Sequence, residues 1–336
     1  MACEVTMKLV RWGMIGCGDV AEVKAGPGFQ KASGSILTAV MRRDIDKARD
    51  FASRHHVDRV HATAGDLIAD PEVDAVYIAT PPASHCELAL AVALGRKPCL
   101  VEKPMAMTHR ECVEMVDAFD AAGCPLWVAY YRRALPRYLL VRDLLRDDAI
   151  GQLTSVQIEV FDRLATGDRA LMWRFDPSVA GGGLFLDMGT HCMDMIDFLV
   201  GPISDVSAVA LNTGGTYRAE DVTAASFRAG DVVGNGVWNF NADRTFDQTR
   251  LTGSGGTITF PMFSDGDVVC GDRRYEVRNP PHVHQPLIQS IVDELRGRGR
   301  CESTGLSGAR TARVMERCLA PYYAADVRTV RPAAHG

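Results

Sequence analysis

Three residues of this chain are of types that handle protons, and their settings are informative. Asp187 and His191 lie four apart in an apolar stretch, so on a helix they share one face. Lys103 stands in the tripeptide Glu102-Lys103-Pro104, directly after a hydrophobic run. A carboxylate and an imidazole on a buried face must find partners or stay solvated, because burying either alone is costly. An imidazole with a carboxylate one turn away, and a separate ammonium, are side chains of the types that general acid–base chemistry uses. Asp187, His191 and Cys192 are also conceivable metal ligands. Cys192 falls on a different helix face, and no further Cys or His completes a regular spacing, so no metal is expected.

The elements that must position these residues begin with a strand over residues 9–15. Gly16-Cys17-Gly18-Asp19-Val20-Ala21 follows and opens a helix. Glycines at a strand-to-helix turn let the backbone approach a pyrophosphate at the helix N-terminus, and Ala21 suits close helix–strand packing. Gly16, Gly18, Asp19 and Val20 are therefore expected to contact a dinucleotide. A second strand, 36–41, ends at Arg42-Arg43, where NAD-binding chains usually carry an acidic residue for the ribose hydroxyls. Arg42 and Arg43, with Lys47 on the next helix, suit a 2′-phosphate instead, so NADP is expected over NAD, which stays possible. Asp44 next door leaves open that these are surface cations. An apolar strand over 74–80 ends at Thr80-Pro81-Pro82, at the sheet edge where open α/β sheets bind ligands. His85 either lines that edge or caps the following helix. A strand at 99–102, a helix at 108–122 and a strand at 126–129 complete an alternation that predicts a parallel sheet covered on both faces.

After residue 130 the pattern changes. Half-buried strands are predicted at 153–161, 203–211, 224–228, 232–240, 249–251, 256–260, 267–269 and 273–277, with helices at 136–146, 183–199, 286–296 and 308–325. The fold class expected is α/β: an N-terminal Rossmann sheet over residues 1–130, then an α+β domain over 131–336 with a large open, mainly antiparallel sheet. His282 and His284 alternate on a strand-like segment and would face one side; the segment either lines a substrate pocket or is an ordinary loop before a helix.

Bulk properties exclude several classes. A net charge of −5 favours neither nucleic acid nor an anionic membrane as partner, and the one basic run, Arg296 to Arg300, alternates with glycine like a solvated turn. No apolar stretch has the length of a membrane span, and the N-terminus lacks the order of a signal peptide. Ten cysteines with no CxxC pair read as reduced thiols, so the cytoplasm is expected.

GCGDVA, ATPPASH, VEKP and GGGLFLDMGTHCMDMIDFLVG, in this order, resemble the Gfo/Idh/MocA oxidoreductases, over residues 9–325. The resemblance implies a Rossmann domain followed by an α/β domain whose open sheet binds substrate on one face and supports a homodimer or homotetramer on the other. Lys103 matches the lysine that contacts substrate and the nicotinamide ribose, while Asp187 and His191 match the family's DxGxH segment. Thr80, Pro81 and His85 would line the cofactor, and Glu102 would touch ribose or fix Lys103. Tyr131 and Arg132 would contact substrate or cofactor at the crossover between domains. Trp173 and Arg174 resemble a pair near the nicotinamide, and His284 is placed with the substrate residues. The expected activity is NADP-preferring interconversion of a secondary alcohol and a ketone on a sugar, polyol or related molecule, such as an anhydroketose or a trans-dihydrodiol. The alternatives are a glycoside hydrolase of the same family that uses bound NAD, for which Arg42 replaces the needed acid, and a nucleotide-sensing regulator, which needs none of the three proton-handling residues.

Overall fold

The computed structural model describes residues 9–18 and 21–329. These form two compact units, one containing the described residues up to Leu140 together with Arg278–Ala309, the other Val141–Val277 with the chain from Arg310 onward.

The first unit is built on six parallel strands: β1 (Val10–Ile15), β2 (Ser35–Met41), β3 (Arg59–His61), β4 (Ala75–Ile78), β5 (Cys99–Val101) and β6 (Leu126–Val128), in the order β3-β2-β1-β4-β5-β6. The central strands read as apolar runs because both faces are covered: Ala75, Val76, Tyr77 and Ile78 are all fully buried. Trp12, Phe29 and Tyr77 form an aromatic column with ring centroids 4.8 and 5.1 Å apart, tying β1 and β4 to the helix Gly26–Lys31. Helix starts are set by side chains that satisfy orphan backbone donors. Asp44 caps Ile45–His55, Thr63 caps Ala64–Ala69, and Thr108 with Glu111 forms a capping box on His109–Ala122. The strand order reverses direction between β1 and β4, and such switch points are where open parallel sheets bind ligands.

The compact units do not follow a single boundary near residue 130. The segment 278–309 belongs to the first unit. Its helix, Gln285–Leu295, buries Leu287, Ile288, Ile291 and Val292 on one face. Each such side chain contributes about 1.5–3 kcal/mol on burial. Glu294 accepts from the Trp127 indole at 3.3 Å, and the backbone N–H of Val128 donates to Ser303 O at 3.0 Å.

The second unit carries β7 (Leu153–Phe161), β8 (Ile203–Leu211), β9 (Val222–Ala229), β10 (Val232–Asn239), β11 (Phe246–Gly253), β12 (Thr257–Phe260), β13 (Val268–Cys270) and β14 (Arg273–Tyr275). Their order is β14-β13-β12-β11-β7-β10-β9-β8, and every pairing is antiparallel except β10 with β7. Burial alternates residue by residue along β9 and β10, as a sheet covered on one face requires. On the covered face Phe185 meets Trp238 edge-on at 4.8 Å, bringing the segment that carries Asp187 and His191 against β10. The fold is thus α/β, with a parallel Rossmann sheet and a second, mostly antiparallel one.

Candidate active site

At the end of β1 the chain turns sharply. Gly16 has φ +95°, and a Cβ there would stand 2.9 Å from the Ala79 carbonyl group and 2.8 Å from Thr80 Cγ2, so only glycine fits. Among the described residues nothing lies within 4 Å of where a Cβ of Gly18 would stand, so the space beside the turn is open; glycines at such turns let a backbone approach a pyrophosphate. Ala21 is fully buried, as close packing at the third position demands. Asp19 and Val20 lie outside the described residues.

Arg42 follows β2, and its guanidinium donates to Cys17 O at 3.0 Å, leaning on the same turn. Arg43 is exposed beside it. Asp44 is committed elsewhere: its carboxylate accepts from the Lys47 backbone N–H at 3.2 Å and pairs with Lys47 Nζ at 3.3 Å. Lys47 is exposed and engaged with that cap.

Lys103 is half-buried between two anchored neighbours. The Glu102 carboxylate accepts from the Tyr77 hydroxyl at 2.5 Å, from His284 Nε2 at 3.0 Å and from the Lys103 backbone N–H at 3.2 Å. Burial alone would raise the Glu102 carboxyl, but the hydrogen bond and charge of His284, with Tyr77, hold it well below its ordinary value. Burial and the Glu102 charge in turn push the Tyr77 hydroxyl up. On the other side, Pro104 O faces His85 Nδ1 at 3.0 Å, and His85 Nε2 meets Thr80 O at 2.7 Å. His85 is fully buried, and burial holds its pKa below the ordinary value. Thr80 and Pro81 are half-buried at the end of β4, with the Ser84 hydroxyl donating to Thr80 Oγ1 at 2.7 Å.

His85, with no exposed surface and both ring nitrogens on backbone carbonyls, ties the end of β4 to the Lys103 loop. Of the two settings expected for His284, the structure has the loop ahead of a helix. His284 is 2% exposed, donates to Glu102 and packs its ring 4.6 Å from that of Tyr131. His282 diverges from it, accepting from Lys31 Nζ at 2.9 Å. Tyr131 and Arg132 are also buried, with Arg132 Nη1 donating to the Tyr131 hydroxyl at 2.9 Å. The Glu102 carboxylate thus holds the backbone N–H of its neighbour Lys103.

In the second unit the helix expected over 183–199 starts as a π-helix, Phe185–Gly189, and continues as an α-helix, Thr190–Leu199. Asp187 sits on the wide turn and His191 on the first α-helical turn; π segments of this kind are frequent at functional sites. Gly183 opens the segment by donating its N–H to Glu220 Oε1 at 2.8 Å, and a Cβ there would meet Glu220 O at 2.6 Å. Glu220 is itself fully buried and takes the Tyr323 hydroxyl at 2.5 Å, with burial pushing its carboxyl up. The Asp187 side chain is about a third exposed, and Arg174 Nε lies 3.8 Å from it. Arg174 in turn covers the Trp173 ring at 4.6 Å. His191 is 5% exposed, with Phe263 edge-on at 6.2 Å between centroids. The structure thus brings Arg174, expected near the cofactor, to the Asp187 carboxylate.

The supporting residues Tyr77, Glu220 and Tyr323 were not singled out from the sequence. Tyr77 carried a signal, since a hydroxyl inside an all-apolar strand must find a partner; Glu220 and Tyr323, 103 residues apart, carried none.

Residues 10–130 match the family described as "Oxidoreductase family, NAD-binding Rossmann fold", and residues 138–259 match the "GFO/IDH/MocA C-terminal domain". "Oxidoreductase P35" of Formosa agariphila is 36% identical over 289 residues, covering 84% of this chain and 90% of that protein. The 1,5-anhydro-D-fructose reductase of Ensifer adhaerens is 30% identical over 333 residues, 95% of this chain and 99% of that one. The solved levoglucosan dehydrogenase in complex with NADH and levoglucosan has the same fold, with a TM-score of 0.82 at 23% identity over 94% of this chain and 97% of that one. With a glycine turn fit for a pyrophosphate, an anchored lysine and an Asp–His helix within the matched segments, the chain belongs to the Gfo/Idh/MocA family of NAD(P)-dependent oxidoreductases.

Proposed function

We propose that the protein interconverts a secondary alcohol and a ketone on a sugar, polyol or related small hydroxylated molecule, with NADP preferred over NAD. The observation that carries the reading is the intact set of proton-handling side chains on dedicated supports. Lys103 is held through Glu102 and Pro104, and Asp187 and His191 stand on a helix start fixed by Glu220. The nicotinamide, when bound, supplies or accepts the hydride. In oxidation, His191 takes the hydroxyl proton, with Asp187 one turn away to orient it or to bind a neighbouring hydroxyl. Lys103, an ammonium, steadies the negative charge that develops on the substrate oxygen. In reduction, His191 or Lys103 returns the proton. The names of the relatives, an anhydrofructose reductase and a levoglucosan dehydrogenase, support a small carbohydrate-like substrate.

The preference for NADP is supported by the Arg42 guanidinium resting on the glycine turn and by Asp44 being consumed as a helix cap. Gly16, Gly18, Arg42 and Arg43 would hold the dinucleotide, with Thr80 and Pro81 at the strand edge. Exposed Val209, Leu211, Val233 and Val237 on the strands β8 and β10 support assembly as a homodimer or homotetramer through that sheet. The nine cysteines among the described residues are all thiols, which fits the cytoplasm. A panel of ketoses, polyols and cyclic diols, followed by nicotinamide absorbance in both directions with each nucleotide, tests the reading. Nucleotide binding without turnover of any member of the panel would overturn it.

A further inference from the structure

The strand β11 supplies a carboxylate that the proton chemistry does not use. Asp247 accepts three consecutive backbone N–H groups, from Met262 at 2.9 Å, Phe263 at 2.5 Å and Ser264 at 2.8 Å, and the Ser264 hydroxyl at 3.2 Å. Charge-assisted bonds of this kind are about twice as strong as neutral ones, so a run of them fixes the loop after β12. Met262, 1% exposed, pins the same loop into the core. What the loop presents is Phe263, half-buried, its ring edge-on to His191 with 6.2 Å between centroids and planes 70° apart. An apolar ring needs no carboxylate to be tolerated at a surface; a fixed ring beside a proton-handling imidazole has a use.

Resting on the alcohol-oxidation reading, we infer that Phe263 is a specificity-determining contact, a flat wall that receives the C–H face of a cyclic polyol whose hydroxyl is presented to His191. A hydroxyl oxygen served by His191 lies about 3 Å from the imidazole. With the phenyl edge-on at 6.2 Å from that imidazole, the carbons of the same small ring can come within the ~4 Å contact range of the phenyl. Small-molecule sites combine aromatic walls with a few placed polar groups, and here Asp187, His191 and Arg174 are the polar ones. A cyclic polyol offers a rigid C–H face to such a wall. An open-chain polyol with the same hydroxyls does not, and must also be ordered on binding.

The test compares a 1,5-anhydrohexitol with the matching open-chain hexitol in wild type, Phe263→Ala, Phe263→Leu and Phe263→Tyr. With Ala or Leu, the ratio of kcat/KM for cyclic over open-chain substrate should fall about threefold to tenfold, the loss lying in KM, while Tyr keeps the ratio. Nucleotide affinity, titrated by fluorescence on the same preparations, separates a local loss from misfolding; Leu keeps the bulk if the Ala variant fails to fold. A ratio within twofold of wild type in both Ala and Leu variants overturns the assignment of Phe263. Wild type that turns over neither hexitol, nor any member of the wider panel, overturns the alcohol-oxidation reading and this contact with it.

Discussion

Replacing His284 by leucine removes one donor from a buried carboxylate while keeping most of the volume. In the wild type, Glu102, 7% exposed, accepts from Tyr77, His284 and the Lys103 backbone at 2.5, 3.0 and 3.2 Å. Deleting one partner of a buried ion pair costs about 3–5 kcal/mol when the other charge is stranded. Two of the three donors survive here, so His284→Leu should cost about 2–3 kcal/mol, roughly two orders of magnitude in the unfolding constant. Urea unfolding followed by tryptophan fluorescence reads the change, since Trp12 and Trp127 belong to this unit and are 0% and 1% exposed. In a Glu102→Gln background no charge remains to strand, and the same substitution should cost about 1 kcal/mol or less. The two changes are thus expected to couple by more than about 1 kcal/mol; additivity within about 0.5 kcal/mol would refute the reasoning. The pH dependence has a definite sign. A carboxyl whose folded pKa is depressed contributes stability that is present above its unfolded value, 4.5, and is lost as pH falls through the folded one, about 2. Wild type should therefore lose stability more steeply than Glu102→Gln across that window.

Two further outcomes are expected. His191→Asn should lower kcat by about 10²–10⁴ with little change in nucleotide affinity, and turnover within a few-fold of wild type would remove His191 from the proton transfer. Exchanging Arg42 and Arg43 for Asp and Ser should move the preference from NADP toward NAD, measured as the ratio of specificity constants; an unchanged ratio would exclude a 2′-phosphate role for the pair.

Much of the fold was legible because central parallel strands, buried on both faces, write themselves as apolar runs such as Ala75–Ile78. The edge strand Arg59–His61 was not, since three residues alternating in polarity carry no such run. The helix Gln285–Leu295 was visible from its periodicity, but periodicity does not say which surface receives the apolar stripe. Its place beside the parallel sheet is therefore visible only in the folded chain. The site shows the same division. Residue types and spacing singled out Lys103, Asp187 and His191, yet His284 meets Glu102 across 182 residues and His85 meets carbonyls that any sequence would supply. A histidine's type announces polar partners; only the folded chain says whether they are substrate, cofactor or backbone.

The first unit is discontinuous in sequence, and that orders events on the ribosome. Its sheet is translated before Leu140, but the helix that seals it and the imidazole that steadies Glu102 come after Arg278. Throughout synthesis of the intervening segment the nascent Rossmann layer must persist with an apolar flank uncovered and a carboxylate lacking one of its donors. A fragment stopped at Leu140 would keep every strand of that sheet yet lack its closure.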